Sequence, residues 1–83
     1  MDVFEYNISN QADNSVFEAQ CDAIEKHIPG LTKAEVLEDV DGTMVQRYSG
    51  MHGTIVVKND KQTDALYVVS DFDLLPYFEK SDN

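Results

Sequence analysis

The 83-residue chain has one cysteine, no tryptophan, two prolines, four glycines and only six Lys and Arg, and each shortage closes off a class of protein. With Cys21 alone no internal disulfide can form, so a small secreted scaffold stapled by bridges is excluded and a reducing cytoplasm is the expected setting. The longest uninterrupted apolar runs are residues 55–57 and 65–69, far short of the roughly 20 residues that a spanning helix needs. Asp2 and Glu5 stand where an export signal would carry basic residues, so neither insertion nor export is expected. The scattered glycines make no G-x-G-x-x-G or G-x-x-x-x-G-K loop, which removes the usual phosphate cradles. No repeat and no Gly-, Ser- or Pro-rich linker divides the chain, so residues 1–83 read as one domain, with a frayed end over residues 81–83.

Six basic residues face sixteen acidic ones, a formal charge of -10. Such a surface repels nucleic acid and anionic membranes, so direct contact with either is not expected. It attracts basic surfaces, at rates that fall as salt rises. Leu, Ile, Val and Phe supply 22 of the 83 residues, above the roughly 20% below which chains tend to stay unfolded.

The pattern along the chain predicts α+β. Residues 3–9 alternate, with Phe4, Tyr6 and Ile8 against Glu5 and Asn7, the period-2 signature of a half-buried strand. Ser15 to Glu18 is a capping-box pattern opening a helix to about Ile28. Phe17, Cys21, Ile24 and Ile28 form one apolar stripe of that helix, which Pro29 and Gly30 end. Asp41-Gly42 between residues 34–40 and 43–49 predicts a hairpin. A turn at 50–53, a strand over 54–59, a polar loop at 61–64 and a strand over 65–70 follow. Asp71 and Asp73 before Pro76 suggest a short terminal helix. The expected order is β-α-β-β-β-β, an antiparallel sheet on one helix, closed by that short helix.

Catalytic and metal chemistry find little support, and no enzyme activity, cofactor or metal is expected. If Gly42 were the glycine of a calcium loop, the first ligand would fall on Leu37 and the last on Tyr48, neither of which can serve. Asp71 and Asp73 share a spacing used by metal-dependent transferases, but a capping Asp beside a surface Asp is the simpler account. Cys21 lies on the apolar stripe, where a thiol behaves as a small hydrophobe. His27 and His52 have no ligand-like spacing to each other or to Cys21. Met51 and His52, between two glycines, mark a turn that could serve as a contact tip.

The carboxylates are more informative than any of these. Glu18, Asp22 and Glu25 recur on a helix stripe about 100 degrees from the apolar one. Glu35, Glu38, Asp39 and Asp41 gather at the hairpin, and Asp71, Asp73, Glu79 and Asp82 lie toward the end. Carboxylates four apart on a helix are about 6 Å apart and alternate ones on a strand about 6.6 Å, close to two base-pair steps of about 3.4 Å, so they can stand in for phosphates.

In size, charge and element order the chain resembles the acidic DNA-mimic inhibitors made by phages, the class that includes the uracil-DNA glycosylase inhibitor and inhibitors of the nucleoid protein HU. The resemblance is one of class, carried by the acidic residues just named. It implies stoichiometric blockade of a host DNA-binding protein in the host cytoplasm, without catalysis; no site transfers with it residue by residue, and the leading contact candidates, Glu18, Asp22, Glu25, Glu35, Glu38, Asp39 and Asp41, come from the chain's own acidic pattern. An immunity-type or regulatory protein covering the basic active site of a toxin or enzyme would use the same acids plus an apolar tip such as Met51. An exposed edge strand at residues 3–9 would leave the chain open to pairing with a second copy.

Overall fold

The structure is a computed structural model, which describes residues 3–79; the end segment 81–83 and Asp82 lie outside the described residues. Helix α1 spans Asn14–His27. It turns Phe17, Cys21, Ile24 and, just past its end, Ile28 into the core, as the apolar stripe predicts. Its cap differs from the capping-box expectation. Asp13, in extended conformation, accepts from the Ser15 and Val16 backbone N–H groups at 2.8 and 3.3 Å. A carboxylate serves here because a full negative charge also complements the positive end of the helix dipole. The Asp13 N–H in turn donates to the side chain of buried Asn59, 3.0 Å away, which pins the helix start to the sheet.

Six strands build one antiparallel sheet: β1 (Phe4–Ser9), β2 (Thr32–Lys33), β3 (Leu37–Glu38), β4 (Met44–Ser49), β5 (Thr54–Asp60) and β6 (Ala65–Ser70). The order across the sheet is β1-β6-β5-β4-β2, with β3 also on β4. Of the predicted continuous strand over 34–40 only β3 forms, and the second short strand, β2, lies ahead of that span. The Gln46 side chain explains the interruption: its amide donates to the carbonyls of Ala34 and Arg47 at 2.6 and 3.0 Å, occupying the place of a ladder bond. The predicted Asp41-Gly42 turn does form, with Gly42 at φ +91° and the Asp39 N–H donating to the Thr43 carbonyl at 2.8 Å.

Burial alternates along the central strands and assigns their faces. Gln46 and Tyr48 of β4, Ile55, Val57 and Asn59 of β5, and Leu66, Val68 and Ser70 of β6 are buried against α1. The opposite face has no helix over it among the described residues. Helix α2 (Leu75–Glu79) closes the end of the helix layer. Asp73 caps it by accepting from the Leu75 N–H at 3.1 Å, and buried Leu74 leads into it.

Candidate partner-binding surface

The acidic candidates fall into two groups. On α1, Glu18 and Asp22 are exposed and line an open cleft of about 240 Å³ with Phe17, Lys33, Val36 and Met44. Glu25, one turn further, is engaged inside the chain. Its carboxylate accepts from the Tyr48 hydroxyl at 2.6 Å and pairs with Lys33 at 3.0 Å. The two bonds, Tyr48 first, hold the Glu25 carboxyl below its ordinary value, while burial, reinforced by Glu25, pushes the Tyr48 hydroxyl up. Glu25 thus anchors β2 and β4 to α1, leaving Glu18 and Asp22 as the free part of the ridge.

The second group sits at the β3–β4 turn, where Glu38, Asp39 and Asp41 line a cleft of about 350 Å³ together with Asp60, Lys58 and Gln62. Register brings Asp60 there: β5 runs antiparallel to β4, so the end of one lies beside the start of the other. Asp39 and Asp41 each spend one oxygen on the turn, accepting from the Val40 and Thr43 N–H groups at 2.8 and 2.9 Å. The bond to Thr43 holds the Asp41 carboxyl below its usual range. Glu35, exposed between β2 and β3, stands between the two groups in sequence. Although four carboxylates share this cleft, no set of three metal-binding side chains is placed to hold a cation among the described residues.

Comparisons with protein-family models, curated proteins and solved structures found no match. The functional reading therefore rests on this surface alone.

Two features of it escape sequence reasoning. Asp60 is distant in sequence from the hairpin and joins it only through strand register. Val40, between Asp39 and Asp41, is fully exposed, and Val36 and Leu37 are about half exposed, giving the acidic turn its own apolar contacts. Met51 is also fully exposed, but it lies at the other end of β4. That is about 20 Å away for a six-residue strand.

Several further aspartates are structural. Asp71 accepts from the Thr54 N–H at 2.8 Å and Asp64 from the Ala12 N–H at 2.8 Å. Asp73 accepts from the Tyr6 hydroxyl at 3.0 Å besides capping α2. Part of the acidic surplus therefore holds turns in place, and the carboxylates with no such bond are Glu5, Glu18, Asp22, Glu35 and Glu38 among those described.

The Glu25 contacts fix a pH dependence. Because its folded-state pKa lies below the ordinary 4.5, its stabilisation is present above that value and is lost as pH falls through the lower, folded value. Glu25→Gln should melt a few degrees below the native protein at pH 7. The gap should close below about pH 4, as thermal melts in parallel buffers will report. A gap that persists at pH 3 would show that the ion pair and its charge are irrelevant to the difference.

Proposed function

We propose that the protein is an acidic DNA mimic that occupies the DNA-binding surface of a host basic protein, such as the nucleoid protein HU or a DNA repair enzyme, and blocks it without catalysis. The observation that carries this reading is that, of the seven candidate acids, only Glu25 is paired with a cation of its own chain among the described residues. Glu18, Asp22, Glu35, Glu38, Asp39 and Asp41 keep their charge toward solvent. A molecule that needed acids only for solubility would gain by interleaving cations with them, since like charges at such spacing repel.

The exposed Val36, Leu37 and Val40 supply the apolar contacts that tight interfaces use beside their charges. They lie among the acids, whereas Met51 does not, so a plug built on Met51 and the acidic turn together would have to span the length of β4.

The test is displacement. Labelled duplex DNA bound to purified HU should be released by the protein in a one-to-one manner, and the release should weaken steeply as salt rises from about 50 mM to about 200 mM. A lysate pull-down at the same two salt concentrations, with duplex DNA as competitor, extends the test to other basic proteins. If the protein displaces DNA from none of them, mimicry is wrong. Binding to one enzyme that tolerates salt and ignores DNA would favour the immunity-type reading instead.

A further inference from the structure

The face of the sheet opposite α1 carries a charge pattern unlike the rest of the molecule. Strand register lays its side chains out in rows. One row runs Glu5 (β1), Val69 (β6), Val56 (β5), Arg47 (β4). The next runs Asn7, Tyr67, Lys58, Val45 and, on β3, Leu37. Among the strand residues of this face, two carboxylates, Glu5 and Asp60, are matched by two cations, Arg47 and Lys58. On a chain of net charge -10, the strand residues of this face are neutral and their middle is apolar, while Glu38, Asp39 and Asp41 border its corner at the β3–β4 turn. Val45, Val56, Tyr67 and Val69 are all half-buried, with no element packed over them among the described residues.

We infer that this face pairs with the same face of a second copy, in a two-fold sheet-on-sheet dimer. Two bodies of charge -10 repel wherever their acidic surfaces meet, so a self-contact is favoured only where the local charge cancels. The first row is also self-complementary. A two-fold axis lying between the sheets, parallel to the strands and midway between β5 and β6, reverses the row. Arg47 then faces Glu5 of the second copy, Glu5 faces its Arg47, and Val56 and Val69 face each other. The same operation sets Lys58, whose ammonium lies 3.9 Å from Asp60 of its own chain, against the ring of Tyr67 of the second copy, a cation-over-ring contact.

Packed sheets cross at about 30 degrees, so the row ends, roughly 7 Å from the axis, shift by roughly 4 Å, within reach of Arg and Glu side chains. Within one chain Glu5 and Arg47 are three strands apart, about 14 Å, and cannot pair. The flat footprint of four six-residue strands is on the order of 400 Å² per copy, which suits weak, reversible pairing and not an obligate dimer. The dimer leaves the Glu18 and Asp22 ridge on the outer side, whereas the cleft of Glu38, Asp39 and Asp41, which Leu37, Val45, Lys58 and Asp60 of this face also line, lies at its edge.

Sedimentation equilibrium from about 10 µM to about 1 mM tests this on the full chain. The native protein should show a species of twice its 9.4 kDa mass. Glu5→Arg and Arg47→Glu should each weaken the dimer at least tenfold, because each sets like charges against each other twice. The double variant should recover most of the affinity, since the pair is exchanged. Circular dichroism and melting confirm that each variant folds, and the recovery in the double variant cannot come from a chain that does not. A monomer at every concentration overturns the inference. So does a dimer indifferent to Arg47→Glu, which would point to pairing through the β1 edge, and so does a double variant as weak as the singles.

Discussion

Gly53→Ala should lower the stability of the protein by about 3 kcal/mol, seen as a fall in the urea midpoint with an unchanged slope. Gly53 ends the turn between β4 and β5, where the Gly50 N–H donates to its carbonyl at 2.9 Å. Its φ of +148° is a conformation that residues with a side chain scarcely adopt. A methyl group there would collide with the Asp71 carboxylate and come within 3.0 Å of the Phe72 ring. Asp71 could swing away only by giving up the Thr54 N–H that it accepts from at 2.8 Å, so strain and a lost hydrogen bond add. Gly30→Ala is the control. Gly30 has φ +77° but no heavy atom within 4 Å of the added methyl, so only the backbone term of about 1 kcal/mol remains. Equal losses at the two positions would show that the Asp71 and Phe72 contacts do not matter. For a domain of this size 3 kcal/mol is a large share of a stability of roughly 4–12 kcal/mol.

That turn shows what is legible in a linear sequence. Two glycines around Met51 and His52 mark a reversal, and alternation marks the strands at either side; both signals are local. So is the apolar stripe of α1, in which Phe17, Cys21, Ile24 and Ile28 are all buried. Contacts between distant residues leave no such trace. Nothing near Gln46 announces that its amide will take the carbonyl of Ala34, and nothing near Asn59 shows that it will hold the start of α1. A polar side chain at an inward strand position reads as a flaw in the pattern until its partner is known, because burial without a hydrogen bond would be costly.

The cap of α1 has the same lesson on a shorter scale: Ser15 and Glu18 have the spacing of a capping box, but Asp13 lies just upstream and has the stronger charge. The candidate surface was legible in part. The clustering of Glu38, Asp39 and Asp41 follows from adjacency, and the exposure of Glu18 and Asp22 from helical period. The inward turn of Glu25 toward Tyr48 and Lys33 follows from neither.

The unbonded carboxylates carry the sharpest prediction for function. Turn and cap aspartates explain themselves through stability: each satisfies a backbone N–H, and its removal would cost the fold. Glu18, Asp22, Glu35 and Glu38 make no bond of this kind among the described residues, yet they crowd like charges on a small body, which weakens the folded state. A cost without a local return is what a binding surface shows. The variant Glu18→Gln, Asp22→Asn, Glu35→Gln, Glu38→Gln should therefore melt at a higher temperature than the native protein while losing affinity for the basic partner proposed above. With each partly exposed pair worth roughly 0.7 kcal/mol at low salt, four together amount to about a 100-fold loss.

Because counterion-linked binding scales with the number of charges engaged, the salt dependence should flatten as well. Titration against HU at about 50 mM and about 200 mM salt measures affinity and slope, and a thermal melt measures the gain. Affinity unchanged by the four substitutions would remove these acids from the interface. A fall in affinity accompanied by a fall in melting temperature would mean that the acids support the fold and bear on binding only through it.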